Sequence, residues 1–590
     1  MSEPREYHFD TVAIHGGAAP DPATGARSVP IYQTTAYVFQ STQHAAELFN
    51  LDEAGNIYTR IMNPTTDVLE KRVALLEGGV AAVAFASGQA ATTAAVLNCG
   101  RSGDEVVASS HLYGGTFTLL SSTLSDLGIR TRFADSLAEA ATLMTERTRM
   151  VLVETLGNPR LDVSDLGAWA RLAHHHGVPL AVDNTFATPY LCRPLEHGAD
   201  LVIHSGTKWL GGHGAAMGGV IVDGGAFDYD RPEFPQFSEP DPSYHGLRFA
   251  REMGSLAFAT RLRVKLLRDM GAALAPLNAW LILQGIETLS IRMERHSANA
   301  AELANRLRTH PGVAWVNYPG LPDHPSHELA VQYLDRGLYG GMLNFGIRGG
   351  VEAGKRFINA LGLWSHVANV GDVRSLVIHP ASTTHQQLSP EEQIRAGADP
   401  DLVRLSAGLE HVDDLWEDME QALAKASGDW RPSVLINDEA VIRSVAQSPT
   451  RPDGRPWTIA VVGLSRQPGR PSYRVARKLQ RLGYRIIPVN PAYAGQTILG
   501  VPAVARLGDI AEPVDVVEVF RTSDKAPEVA GEAAGISAPV FWMQEGVVSP
   551  VAARTASAAG KRVVMNRCLF KEIQRLRGTI ATYPRFSDQG

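Results

Sequence analysis

Residues 201–214 read LVIHSGTKWLGGHG. Leu201 to His204 make a short apolar strand, Ser205, Gly206 and Thr207 set two hydroxyls around a glycine, and Lys208 precedes a glycine-rich turn. An amine held at a strand end in an apolar pocket loses its proton readily and attacks carbonyl carbon. Ser205 and Thr207 beside it are placed to hold a phosphate. Upstream, the strand PLAVD ends at Asp183. A buried carboxylate there keeps a pyridine nitrogen protonated, as an electron sink requires. Lysine, hydroxyls and carboxylate together point to pyridoxal 5'-phosphate (PLP). A lone T-K after a buried strand is more often a surface lysine, so the reading rests on the combination. Two decoys fall away. Ser205-x-x-Lys208 fits a penicillin-binding serine motif, but neither S-D-N nor K-T-G occurs. Gly349 to Lys355 fits G-x-x-x-x-G-K, but Arg356 follows where a P-loop needs Ser or Thr for magnesium.

Working outward, short apolar runs alternate with helical ones: AAVAFA, DEVVAS, RMVLVE, VPLAVD, DLVIHS. That alternation predicts βαβ units and a largely parallel sheet. A helix is predicted from Pro64 (PTTDVLEKRVALLEGG), with proline in the first turn and Gly78 and Gly79 to stop it. Residues 1–60, rich in glycine, proline and aromatics, show little helical period and read as a wrapping arm. Residues 61–258 read as the large cofactor-binding domain and 259–428 as an α+β subdomain with long helices from about Ala259 to His310. Residues 429–456 read as a helical lead-in near Asn437 and a polar, proline-rich linker, QSPTRPDGRP. Residues 457–580 read as a separate compact α/β domain.

A chain of 590 residues exceeds one hydrophobic core. A net charge of -7 argues against general nucleic-acid binding. Three cysteines, Cys99, Cys192 and Cys568, lie far apart without metal-ligand spacing, which suits a reducing cytoplasm and no metal site. MSEPREYHFD has no apolar signal-peptide core, and no run is long enough to span a bilayer.

The other needs of a PLP site have candidates at successive strand ends, where open α/β sheets place ligand crevices. Gly88 and Gln89 open a helix after AAVAFA and offer backbone N–H groups to a phosphate. Tyr58 and Arg60 add a phenol and a guanidinium able to grip phosphate. Tyr113, in HLYGGT, is placed to stack on a pyridine ring, although a core tyrosine is an equal reading. Asn158, in ETLGNP, is placed to meet the ring oxygen. Arg404, in VRLSAGLE, can pair bidentately with an amino-acid carboxylate, although an arginine beside a strand is usually a surface residue.

Over about 425 residues the chain resembles the cystathionine γ-synthase-like branch of fold-type-I PLP enzymes, and within it the O-acetylhomoserine sulfhydrylases. The motifs that carry this are HGGAAPDPATGARSVPIYQTTAYVF, GNIYTRIMNPT, ASGQAA, LYGGT, ETLGNP, VDNTFATPYL, SGTKWLGGHG, PDPSYHG, ANVGD and SLVIHPASTTHQQL. Methionine γ-lyases carry cysteine where this chain has Gly115. Cystathionine γ-synthases and lyases show Ser-Leu-Gly-Gly where it has Asn369, Val370, Gly371 and Asp372. The resemblance implies a fold-type-I transferase: a mostly parallel sheet with helices on both faces, plus an α+β C-terminal subdomain. It implies that Lys208 links the cofactor and shuttles protons, that Asp183 pairs with the pyridinium and that Tyr113 stacks on the ring. Gly88, Gln89, Ser205 and Thr207 would bind phosphate, Asn158 the ring region, and Arg404 with Asn369 the substrate carboxylate. Tyr58 and Arg60 would come from a neighbouring subunit, so the active unit would be a dimer or, commonly, a tetramer. The implied reaction is γ-replacement on O-acetylhomoserine by sulfide or a small thiol, giving homocysteine or methionine and acetate. Alternatives are a cystathionine γ-synthase, an O-succinylhomoserine sulfhydrylase, or a CoA-sensing regulatory protein with a weak PLP site.

Residues 458–577 resemble the CoA-binding, Rossmann-like domain found alone in small bacterial proteins, through TIAVVGLS, PGRPSYRVARKLQRLGYRIIPVNP, GQTILG, FWMQEGVV and VVMNRC. Gly463 and Ser465 form a strand-to-loop turn, and Arg466, Arg470 and Arg474 are placed to meet phosphates. Ser472 reads as a helix cap. Asn490 and Pro491 end the second strand, where an adenosine would rest. Asn566 stands where that family usually has Asp. The basic face Arg477, Lys478, Arg481 and Arg485 reads as solvated. No G-x-G-x-x-G occurs, which argues against NAD, and no histidine lies in the domain, which argues against phosphohistidine chemistry. A binding module for CoA or acyl-CoA with a regulatory role follows.

Overall fold

A computed structural model of the chain describes residues 7–383, 386, 397, 399–426, 437 and 439–577. The end of the SLVIHPASTTHQQL motif, the last two residues of the expected α+β subdomain (427–428), the first part of the expected lead-in (429–436) and residues 578–580 lie outside the described residues. The chain divides into two compact units, Met1–Gly428 and Asp429–Gly590.

The first unit is built on seven strands: β1 (Ala81–Phe85), β2 (Glu105–Ser109), β3 (Arg130–Ala134), β4 (Thr148–Glu154), β5 (Leu180–Asp183), β6 (Leu201–Ser205) and β7 (Gly219–Asp223). They lie in the order β1-β7-β6-β5-β4-β2-β3. β7 runs antiparallel to both its neighbours, and the other pairs are parallel. Burial on both faces explains why the strands read as continuous apolar runs. Val151, Val153, Val182 and Val202 enter one core, while Met150, Leu152, Ala181, Leu201 and Ile203 enter the other. The helix Pro64–Glu77 starts where the Asn63 side chain accepts the N–H of Thr65, and stops at Gly78, with φ 81°. The expected featureless arm carries two short helices, Phe9–His15 and Thr42–Asn50. The second is capped by Ser41, which accepts the N–H of His44. The first buries only Ala13 and the second only Leu48.

A smaller sheet follows: β8 (Val313–Asn317), β9 (Met342–Ile347), β10 (Ser365–His366), β11 (Leu376–Ile378) and β12 (Leu402–Ser406), in the order β10-β11-β12-β9-β8. Three of its four pairings are antiparallel. The helices Leu289–Arg308, Gly350–Ala360 and Val412–Ala426 pack on it through Leu303, Phe357 and Leu415. Lys355 of the P-loop decoy lies on the second of these and pairs with Glu352 at 2.8 Å.

The second unit holds β13 (Thr458–Val462), β14 (Arg485–Val489), the hairpin β15 (Thr497–Ile498) and β16 (Val501–Pro502), β17 (Val516–Val519), β18 (Val540–Met543) and β19 (Arg562–Val564). Its five-stranded sheet is wholly parallel, in the order β14-β13-β17-β18-β19. The helix Glu439–Ala446 is part of this unit, with Val441, Ile442 and Val445 in its core. The linker-like residues 447–456 are folded back on the same unit. Arg451 pairs with the buried Asp515, Arg455 reaches it at 3.0 Å, and the N–H of Thr458 donates to it at 2.9 Å. Composition alone reads such a segment as a spacer, because the ion pair that holds it is made with a residue about 60 positions away. Among the described residues no helix is long and apolar enough to cross a membrane.

Candidate active site

Lys208 leaves the end of β6 in a turn whose backbone N–H donates to the Ser205 carbonyl at 3.1 Å. Its Nζ donates to Asn369 Oδ1 at 2.5 Å. Gly371, at φ 74°, lets the Asn369 loop close on this turn: a Cβ there would stand 2.7 Å from the backbone nitrogen of Trp209. Burial, with the Arg404 charge second, pulls the Lys208 amine down to about 8. A protonated amine is costly in that setting, so the neutral, nucleophilic form gains population near neutral pH.

Arg404 sits in the middle of β12, and its Nη1 donates to Asn158 Oδ1 at 3.0 Å. Burial pushes its guanidinium down to about 10. Asp183 closes β5; burial raises its carboxyl above the ordinary range, while hydrogen bonding to Thr185 opposes this, with the N–H of Thr185 donating at 2.9 Å. The Thr185 hydroxyl accepts the N–H of Ser205 at 2.8 Å and so ties the ends of β5 and β6 together. Thr207 accepts the N–H of Gly218 at 3.1 Å.

The helix Gly88–Cys99 starts at Ser87, whose side chain accepts the N–H of Ala90. That leaves the N–H groups of Gly88 and Gln89 at the helix start without intrahelical acceptors. Gly88 packs directly on Ser205: a Cβ would meet the Ser205 Cβ at 2.7 Å. Gln89 accepts from the Thr116 hydroxyl at 3.3 Å, just past Tyr113. Tyr113 is 50% exposed, and its ring lies against Gly115, where a Cβ would come within 2.5 Å of it.

The structure thus links Lys208 to Asn369 and Arg404 to Asn158, with Lys208 and Asn158 just past the ends of β6 and β4 and Arg404 inside β12 of the smaller sheet, while Asp183, Ser205, Thr207, Gly88, Gln89 and Tyr113 lie at or past the ends of β5, β6, β1 and β2. Tyr58 and Arg60 are joined elsewhere. The Arg60 guanidinium donates to the Arg268 carbonyl and lies 5.5 Å from the Tyr58 ring centre. Tyr58 is 40% exposed.

One residue escaped the sequence reading. Glu154, the last residue of β4, is buried, accepts the N–H of Tyr113 at 2.6 Å and that of Asn158 at 3.1 Å, and is the register partner of Asp183. Burial raises its carboxyl well above the usual range, and Asp183 adds to this. The available signal was a carboxylate ending an otherwise apolar strand.

These residues fit PLP. A half-buried acid suits the ring-nitrogen role, an amine of depressed pKa the carbonyl role, and a glycine-opened helix start with two hydroxyls the phosphate role.

In the second unit Gly463 and Ser465 follow β13. Ser472 does not cap its helix: the helix Pro471–Arg481 has Arg470 at the N-cap. The Ser472 hydroxyl instead accepts the N–H of Ser465 at 3.1 Å and holds the turn after β13, because it lies one position inside the first turn. Asn490 donates to the Leu464 carbonyl at 3.0 Å and caps the short turn starting at Pro491. These contacts join the ends of β13 and β14. Of the face expected to be solvated, Lys478 lies 4.5 Å from the Phe570 ring centre and Arg485 pairs with Glu512 at 2.7 Å.

Residues 457–574 match the sequence model of the CoA binding domain. The chain is 55% identical over 432 residues to the O-acetyl-L-homoserine sulfhydrylase of Leptospira meyeri, covering 72% of this chain and 98% of that one. It is 51% identical over 424 residues to the homocysteine synthase of Schizosaccharomyces pombe, covering 71% and 99%. Among solved structures, an O-acetylhomoserine (thiol)-lyase of Campylobacter jejuni, carrying a pyridoxyl-lysine, superposes with a TM-score of 0.68 at 42% identity, over 71% of this chain and 100% of that one. Residues 10–424 match the model of the Cys/Met metabolism PLP-dependent enzymes, and the chain belongs to that family.

Proposed function

We propose that the chain catalyses γ-replacement on O-acetylhomoserine, with sulfide or a small thiol as the entering group, to give homocysteine or methionine and acetate. The meeting of the Lys208 amine with Asn369, beside Arg404 and Asn158, carries this reading. It supplies a proton carrier and a carboxylate clamp at one point. The names of the similar proteins support the choice of substrate.

PLP, when bound, supplies the electron sink. The chain's own groups do the rest. Arg404 holds the substrate carboxylate as a fork. The neutral Lys208 amine takes the proton from the substrate Cα; a second proton then leaves Cβ as the Cγ–O bond to acetate breaks, sulfur adds at Cγ, and protons return to Cβ and Cα. Asp183 holds the ring nitrogen in its protonated form, Tyr113 covers the ring, and Gly88, Gln89, Ser205 and Thr207 hold the phosphate.

Tyr58 and Arg60 complete the phosphate site from a second copy of the chain, in a dimer or tetramer. Their attachment to Arg268 rather than to the Lys208 group, and an arm on which Val38 is 98% exposed, support this. The second unit takes CoA or acyl-CoA at the end of β13, between Ser465, Arg470 and Asn490, and reports acyl supply to the enzyme. A reducing cytoplasm suits the three free cysteines of the chain, Cys99, Cys192 and Cys568.

The test is a product assay with acetyl-, succinyl- and phosphohomoserine, each with sulfide or cysteine, with and without CoA. Homocysteine from the acetyl ester and sulfide is expected. Preferential cystathionine formation would replace this reading with that of a cystathionine γ-synthase, and preference for the succinyl ester with that of an O-succinylhomoserine sulfhydrylase.

A further inference from the structure

The second unit contains a buried acid that its fold does not use. Glu518 lies in β17 and is fully buried. Its Oε1 accepts from Gln544 Nε2 at 2.9 Å, and its Oε2 has no hydrogen-bond partner. Among the described residues no cation pairs with it, and burial alone raises its carboxyl to about 8. An unpaired acid in a sheet interior is costly, and a hydrophobic residue of the same shape is normally the more stable choice.

Its position is informative. The strand order β14-β13-β17-β18-β19 reverses direction between β13 and β17, and open parallel sheets take ligands at the carboxyl ends of the strands beside such a reversal. Glu518 is the penultimate residue of β17, paired in register with Val461 of β13 and Trp542 of β18. By strand alternation it shares a face with Val516, in the core that also contains Val461, Leu464, Trp542 and Leu569. The Cys568 thiol, at the start of the helix Leu569–Leu576, feels its charge. Gln544 is held in turn, its Oε1 accepting the N–H of Glu545 at 3.0 Å. A carboxyl held mostly protonated amid apolar side chains offers no charge to phosphate and suits an uncharged hydrogen-bonding group.

We propose that Glu518, fixed by Gln544, is a ligand-binding residue that takes the uncharged amide and thiol or thioester arm of a CoA-type ligand, while the phosphates lie at the turn after β13. This rests on the CoA reading of the second unit, and the experiment separates the two. Calorimetric titrations of the full-length protein use three probes: CoA, pantetheine and adenosine 3',5'-bisphosphate. Wild type is expected to bind CoA more tightly than the bisphosphate. Glu518→Val is expected to weaken CoA by tenfold or more, abolish pantetheine binding, leave the bisphosphate within twofold, and unfold at an equal or higher temperature. Glu518→Gln, which retains a hydrogen-bonding head, is expected to keep most of the CoA affinity. Retained bisphosphate binding shows that the crevice is folded; where Glu518→Val lacks it, Glu518→Thr is read by the same affinities. Unchanged CoA affinity in the folded Val or Thr variant overturns the role of Glu518. A wild type that binds none of the three probes overturns the CoA reading, and this proposal with it.

Discussion

Glu154 and Asp183 are register partners at the carboxyl ends of β4 and β5, a buried and a half-buried acid on neighbouring strands. They divide the labour. Asp183 is the residue proposed to meet the cofactor's ring nitrogen, and Glu154 spends both oxygens on the backbone N–H groups of Tyr113 and Asn158. Glu154→Gln can serve one of those N–H groups but opposes its amide NH2 to the other. Hydrogen bonds to charged groups contribute about 1.5–3 kcal/mol, so kcat is expected to fall on the order of tenfold or more, with weaker PLP retention on dialysis. Circular dichroism of the bound chromophore reports whether the ring environment has changed. An unchanged kcat and spectrum would remove Glu154 from the site.

Arg404 and Asn158, 246 positions apart in the chain, meet at 3.0 Å. Arg404→Lys keeps the charge but loses the fork. The expected result is a rise in KM for the amino-acid substrate of about tenfold or more, with a smaller change in kcat, since a carboxylate clamp acts on ground and transition states alike. Steady-state kinetics at saturating sulfide checks this.

The depressed pKa of Lys208 fixes the sign of a pH effect. The amine is a base pulled from 10.5 to about 8, so its neutral fraction rises with pH through that value. At pH 7.5 about a quarter of the amine is neutral, against about a thousandth for an unperturbed lysine. The kcat–pH profile is expected to climb between pH 7 and 9 and then level off. A profile that climbs only near pH 10 would contradict the buried, neutral amine.

Arg451, Arg455 and the N–H of Thr458 converge on the buried Asp515. Asp515→Ala leaves the Thr458 N–H without its acceptor and frees two partly exposed arginines, and losing a hydrogen bond to a charged group costs about 1.5–3 kcal/mol. Asp515→Ala is therefore expected to lower the unfolding transition of the second unit in a calorimetric scan of the whole protein, with sulfhydrylase activity at 25 °C retained. A scan identical to that of wild type would make residues 447–456 the spacer that their composition suggests.

Much of the site was legible because PLP chemistry demands particular residue types at strand ends, and the strands announce themselves as apolar runs. Lys208, Asp183, Tyr113 and Asn158 each end or follow such a run. Arg404 stood out less, since it lies inside a strand. Glu154 was hidden because its meaning lies in two backbone N–H groups, one of them 41 residues away. The antiparallel direction of β7 was equally silent, since GVIVD is apolar whichever way it runs. Ser472 misled because a serine near a helix start caps only at the N-cap itself, and here Arg470 holds that position. The proline-rich 447–456 segment shows the same limit, as its fold depends on a distant aspartate.

The central claim is that Lys208 carries the cofactor. Protein purified with PLP, treated with borohydride, digested and mapped by mass spectrometry is expected to carry one pyridoxyl phosphate on Lys208, and Lys208→Ala is expected to lose both visible absorbance and turnover. A label on another lysine, or normal turnover in Lys208→Ala, would contradict the account.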